Sequence, residues 1–191
     1  MSRLLSFLAS AACLTSVASA AVFTEQGDAG QTAATAQDAT GATRIDGSLI
    51  DLGNETADVD FYRIVIDDPA AFAVTVLANL TEDNDTEILL FDEAFNLVIR
   101  DDDDGDGLLS AFFAGELTDT GGGAGTYYLA ITIYEVLAAA GGAVVVDPAP
   151  FQTGSYALLL DGVAPVPLPA AAWMFLVGAA GLGAARRRAR G

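Results

Sequence analysis

Between Thr126 and Val136 the chain reads TYYLAITIYEV, directly after the glycine cluster Gly121 to Gly125. Aromatic and β-branched residues fill the run and glycines mark its start, so it reads as a β-strand. Further runs of the same kind lie on either side of it. Upstream are Ile45 to Leu52, ended by Gly53-Asn54, and Phe61 to Ile66 (FYRIVI), stopped by Asp67-Asp68-Pro69. Phe72 to Ala78 (FAVTVLA), Glu87 to Phe91 (EILLF) and Asn96 to Arg100 follow, and Ser155 to Leu160 closes the set. Short strands divided by turn residues predict an all-β, antiparallel sandwich. Their apolar runs are mostly unbroken, which predicts central strands with little solvent-facing alternation. Leu137 to Ala149 reads as an inserted loop. Ala21 to Thr43, rich in Ala, Thr, Gln and Gly, reads as a flexible leader or early edge segment.

The two ends of the chain have a different character. Arg3 precedes an apolar stretch from Leu4 to Val17, and Ala18-Ser19-Ala20 is a small-x-small cleavage site. That order predicts a signal peptide over residues 1–20 and a mature chain beginning at Ala21. An uncleaved anchor fits less well, because the apolar part is short for a span. The single cysteine, Cys13, lies inside this signal, and Ser10 stands where a lipoprotein site would carry a larger aliphatic residue. At the other end, residues 168–185 carry no charge and lead into Arg186, Arg187, Arg188 and Arg190. Eighteen such residues make roughly 27 Å of helix, enough for one membrane span. The arginines after it predict a cytoplasmic C-terminus.

Directly before that span stands Val166-Pro167-Leu168-Pro169-Ala170. Two prolines hold this collar extended and deny it helical hydrogen bonds. With the signal peptide, the apolar run and the Arg cluster, the tail over 164–191 resembles a VPLPA-CTERM signal, a variant of the PEP-CTERM sorting signals. The resemblance implies an exosortase-type membrane protease as partner, acting after signal peptidase and the secretion machinery. It also implies a transient inner-membrane intermediate, followed by transfer to the cell surface or release.

The part between the ends, about 143 residues, is the size of one domain. It holds all 26 acidic residues but only three basic ones, Arg44, Arg63 and Arg100, so three minus 26 gives a formal charge of −23. Such a surface repels nucleic acid and anionic lipid and attracts cations. The chain has no histidine, and the mature part has neither lysine nor cysteine. Ser–His and Cys–His nucleophiles, Ser–Lys dyads, Schiff bases and His-ligated zinc are therefore excluded. Carboxylate chemistry, such as glycoside hydrolysis by an acid pair, remains open.

The order of motifs across residues 44–163 resembles the bacterial pre-peptidase C-terminal (PPC) domain. The matching pieces are Asp58-Val59-Asp60-Phe61-Tyr62, the valine strand Phe72 to Leu77, and Asp85 with Ile88-Leu89-Leu90-Phe91-Asp92. An acidic loop, Gly125-Thr126-Tyr127-Tyr128 and Gly154-Ser155-Tyr156 complete them. The resemblance implies a jelly-roll-like β-sandwich of a kind usually appended to secreted proteases, some of which bind calcium or matrix polymers. No protease domain accompanies this copy, so an accessory role to an enzyme in the same chain is not expected.

The acidic loop reads RDDDDGDG from Arg100 to Gly107. Asp102-x-Asp104-x-Asp106-Gly107 matches the opening half of a calcium loop. An EF-hand fails, because its twelfth position falls on Phe113. The loop is therefore expected to hold Ca2+ through Asp101, Asp102, Asp104 and Asp106, closed by distant acids such as Asp60 or Asp85, with Asp58, Asp83 and Asp92 as further choices. The competing reading is a solvated acidic turn. Tyr127, Tyr128, Tyr134 and Phe61 read as packing residues rather than a sugar-stacking platform. Together these features predict a non-enzymatic exported module with calcium-assisted binding or cohesion, exopolysaccharide being one partner. The alternatives are a carboxylate-dependent polysaccharide-active enzyme and a structural surface protein without metal.

Overall fold

Thr126 to Ile133 of the run TYYLAITIYEV lie in a central strand with a neighbour on each side. The computed structural model describes residues 21–53, 57–81, 84–133, 136–146 and 152–165. The predicted signal peptide, with Ala18 and Ala20, lies outside them. So do Val166, Pro167, Leu168, Pro169, Ala170, the predicted span and the Arg cluster.

One five-stranded sheet has the order β1-β3-β12-β5-β8. It is built from β1 (Val22–Thr24), β3 (Arg44–Leu49), β5 (Ala73–Leu80), β8 (Ala111–Phe112) and β12 (Gly154–Asp161). The other has the order β2-β4-β9-β6-β7. Its strands are β2 (Gln37–Asp38), β4 (Val59–Ile66), β6 (Thr86–Asp92), β7 (Leu97–Asp101) and β9 (Gly125–Ile133). Each predicted run falls on one of these strands within a few residues. Pairing is antiparallel except at one edge of each sheet, where β1 runs parallel to β3 and β2 parallel to β4. Among the described residues the fold is an all-β sandwich with a short α-helix, α1 (Glu116–Asp119), between β8 and β9.

Alternation along each strand decides which residues fill the space between the sheets. Ile45, Leu49, Val74, Val76, Leu158 and Leu160 point in from the first sheet; Tyr62, Ile64, Ile88, Leu90, Leu129 and Ile131 meet them from the second. Burying such side chains, at roughly 1.5–3 kcal/mol each, is the main force holding the sheets together.

The unbroken apolar runs have a second cause. The outer face of the second sheet is also apolar, with Val59, Phe61, Leu89, Phe91 and Ala130 buried there. A hairpin of β10 (Val136–Ala140) and β11 (Ala143–Val146) lies over it, so the expected inserted loop is instead a cover. The hairpin turn is fastened where the Ala33 N–H donates to the Gly142 carbonyl at 2.8 Å. Gly142 has φ of +73°, and a side chain there would run into Ala33 and Phe95. Strands β4, β6 and β9 are therefore buried on both faces, which explains why their sequences do not alternate in polarity.

Ala21 to Thr43 is likewise part of the sandwich rather than a loose leader. It supplies β1, β2 and a 3-10 turn at Ala33–Thr35, and it buries Ala29, Ala33, Ala39 and Ala42. Small side chains let this segment lie close against both sheets, so its low apolar bulk reflects tight packing.

Candidate metal centre

Asp60 occupies an inward-facing position of β4, two residues before Tyr62, and is fully buried. Its Oδ2 accepts a hydrogen bond from the Tyr156 hydroxyl at 2.6 Å, and that hydroxyl lies 2.6 Å from the hydroxyl of Tyr62. The chain of polar groups fits between the sheets because Gly47 faces it from β3. A Cβ at Gly47 would collide with the Tyr156 ring and hydroxyl and with the Tyr62 hydroxyl. The second carboxylate oxygen, Asp60 Oδ1, has no hydrogen-bond partner. A buried carboxylate oxygen left unpaired is costly unless a proton or a cation compensates it.

Two acids from the N-terminal segment converge on this position. Glu25 follows β1, and its N–H donates to the Asp46 carbonyl at 2.9 Å. Its carboxylate accepts from the Ala29 N–H at 2.9 Å and from the Ser48 N–H at 2.8 Å. Asp28 lies on the turn between, which Gln37 pins by donating to the carbonyls of Gln26 and Asp28 at 3.0 and 3.2 Å. One carboxylate oxygen from each of Glu25, Asp28 and Asp60 lies within 4.8 Å of the others.

The electrostatics match this crowding. Burial first, and then the charges of Asp58, Glu25 and Asp28, push the Asp60 carboxyl up to about 8, against the opposing effect of the Tyr156 hydrogen bond. Burial likewise raises Glu25. Neighbouring Asp58 is also raised by burial, but its oxygens are engaged by the Ile50 N–H at 2.7 Å and by the Gln31 amide at 2.6 Å. Asp58 therefore braces the site from behind.

The donor set is all oxygen, which suits a hard cation. Calcium–oxygen distances of about 2.3–2.6 Å allow oxygens across one ion to stand nearly 5 Å apart, and calcium tolerates irregular geometry. Magnesium requires a tighter octahedron and keeps most of its water. Three protein carboxylates leave further coordination positions for water or a ligand.

The residues expected to form a calcium loop are placed differently. Asp101 is tied into the edge, its Oδ2 accepting from the Ala111 N–H at 2.8 Å and the Asp104 N–H at 3.3 Å. Asp104 and Asp106 are exposed and Asp102 is half-buried. Asp85, half-buried before β6, has interactions of its own. Asp92 caps the β6–β7 turn, accepting from the Ala94 and Asn96 N–H groups at 2.9 and 2.8 Å. Among the described residues, the acids gathered in a group of three are Glu25, Asp28 and Asp60, and Asp60 alone of these was expected from sequence. An acid at an inward position of an apolar strand was the available signal. Glu25 and Asp28 carried none, since nothing local ties them to β4.

A second buried acid has a structural partner instead. Glu87 of β6 is fully buried and receives the Arg100 Nε–H, while the Val136 N–H donates to its Oε2 at 3.0 Å. Arg100 also donates to the Val136 carbonyl at 3.0 Å. This clamp holds the root of the covering hairpin. Tyr127 and Phe61 are buried, and Tyr128 packs edge-on against Phe95 with ring centroids 5.0 Å apart, as packing residues should.

No family model and no curated protein matches the sequence. Among solved structures, the chain is similar to the pre-peptidase C-terminal domain of a collagenase from Bacillus anthracis. The identity is 21% and the TM-score 0.39, over 65% of this chain and 92% of that one. It is also similar to PliG of Aeromonas hydrophila, a periplasmic inhibitor of g-type lysozyme. There the identity is 13% and the TM-score 0.33, over 73% of this chain and 95% of that one.

Proposed function

We propose that this chain is an exported, non-catalytic β-sandwich module that binds calcium at Glu25, Asp28 and Asp60 and works through binding or cohesion at the cell surface or in extracellular polymer. The observation that carries the metal reading is the unpartnered, fully buried oxygen of Asp60, held within reach of two further carboxylates. An ion there would compensate the buried charge and tie the N-terminal segment to β4. Affinity in the range of extracellular calcium modules, about 10⁻⁴–10⁻³ M, suits a site with three protein carboxylates and open positions. The tail over 164–191 supports a sorting step, with Pro167-Leu168-Pro169 presented to an exosortase-type protease beside the membrane.

The metal reading is tested by calorimetric titration of the full chain, in mild detergent, with Ca2+ and with Mg2+. Saturable calcium heat that disappears in Asp60→Asn supports it; equal heats in the two proteins refute it. The sorting reading is tested by mass spectrometry of the chain recovered from its own cells. A C-terminus still ending at Gly191 in the presence of an active exosortase would reduce the tail to a plain anchor.

A further inference from the structure

The covering hairpin protects the outer face of the second sheet, whereas the outer face of the first sheet carries a groove of about 560 Å³, open to solvent. Small residues make its floor: Ser48 of β3 and Ser155 and Ala157 of β12. Leu77 and Asn79 rise on the β5 side, both exposed; Thr24, Glu25 and Gly27 form the opposite rim. The volume falls within the range of ligand sites, about 300–1,000 Å³. We propose that this groove binds an extended, hydroxyl-rich polysaccharide chain of low charge, and that Glu25, common to groove and metal centre, couples the two.

The lining chemistry selects that class. Thr24 and Ser155 hydroxyls and the Asn79 amide make no hydrogen bond to the described residues, so their donors and acceptors stand ready for a ligand. Exposed Leu77 offers an apolar contact suited to the C–H face of a sugar ring. Charge narrows the choice further. Arg44 and Asp46 pair at 2.6 Å and cancel within the groove, leaving Glu25 as its one unbalanced charge. A nearly neutral channel on a domain of charge −23 admits a neutral polymer, while a polyanion is repelled by the surface around it. A basic peptide would be drawn to the acidic surface at large, with no preference for this face.

The coupling rests on the calcium reading above. The Glu25 carboxylate spans from the Ser48 N–H in the groove to the metal-centre turn at Ala29. An ion gripping Glu25 would therefore also set the groove's rim.

The test is affinity electrophoresis and calorimetry of the full chain in mild detergent against neutral glucans, xylan and galactan, with alginate and oligolysine as charged probes. At least one neutral polymer is expected to bind in 1 mM Ca2+, about tenfold more weakly to the Asn79→Ala, Ser155→Ala double variant, which corresponds to about 1.4 kcal/mol. Chelator should weaken the same binding severalfold. Calcium heats and thermal melting of the double variant should match those of the unaltered chain, which separates loss of the groove from loss of the metal site or of the fold. Silence from every neutral polymer, binding of oligolysine alone, or neutral-polymer affinity indifferent to the double variant would each overturn the groove. Neutral-polymer binding unchanged by chelator, in protein that still gives calcium heats, would overturn the coupling and leave the groove.

Discussion

The acids of this chain occupy two contrasting settings. From Asp101 to Asp106, five aspartates stand within six positions, most of them facing water. Glu25, Asp28 and Asp60 are spread over about 35 residues, yet their oxygens converge within 4.8 Å around a buried, unpartnered atom. In water two unit charges 4 Å apart interact by only about 1 kcal/mol, so a dense exposed run is easily tolerated without an ion. Removed from water, a smaller group creates a much stronger demand for a cation. The proposed calcium site rests on convergence and desolvation rather than on local density.

The largest effect that separates the two regions should come from calcium itself. At about 100-fold excess over the dissociation constant a bound ion adds about 2.7 kcal/mol, raising the melting temperature by roughly 5–10 °C for a domain of this size. Asp60→Asn should abolish that rise in differential scanning calorimetry while leaving the metal-free protein folded at pH 7. A full rise in the variant would dissolve the contrast.

Next in size is the packing that makes the site. Gly47→Ala forces a methyl against the Tyr156 and Tyr62 hydroxyls and should destabilise the chain by roughly 1–3 kcal/mol in urea melts. Unchanged stability would mean that the tyrosines need not approach Gly47 so closely.

The pH dependence has a definite sign. The folded-state values of Asp60 (about 8), Glu25 and Glu87 all lie above their unfolded values, with burial the largest cause. The folded state then holds more protons than the unfolded one between pH 4 and 8, so stability is greatest at the acid end and falls as pH rises. Without metal the melting temperature should drop from pH 5 to 8, and saturating calcium should flatten the drop by holding Asp60 ionised. A metal-free melting temperature that climbs over this interval would contradict the assignment of Asp60 as the raised group.

The smallest expected change sharpens the comparison from the other side. Replacing Asp102, Asp104 and Asp106 together by Asn should alter calcium affinity less than about twofold, since exposed charges act only through a screened field. A loss comparable to that of Asp60→Asn would move the site into the loop.

The strands were legible because β-branched and aromatic runs between turn residues have one economical outcome. Phe61 to Ile66 and Glu87 to Phe91, by their lack of alternation, pointed to central strands, and that is where they lie. What would cover them was not legible. Val136 to Val146 is Ala, Gly, Val and Leu without a distinctive period, and its pairing as a hairpin over Phe61 and Phe91 depends on the sheet beneath it. The segment from Ala21 to Thr43 was obscure for a similar reason. Alanines carry little hydrophobic signal, yet Ala29, Ala33, Ala39 and Ala42 fit close to neighbouring backbone where larger side chains would not.

Taken alone, the amino-acid sequence determined the all-β class, the positions of the long strands, the extreme acidity, and the exclusion of histidine-based chemistry. All of these follow from composition and short-range pattern, which depend on neighbours a few positions away. Tertiary structure decided which acids meet. Strand β1 pairs with β3, Gly47 leaves space between the sheets, and β4 turns Asp60 inward toward Glu25 and Asp28. Burial and convergence arise from contacts between distant segments, and they place an ordinary aspartate where its oxygens are desolvated beside two further acids.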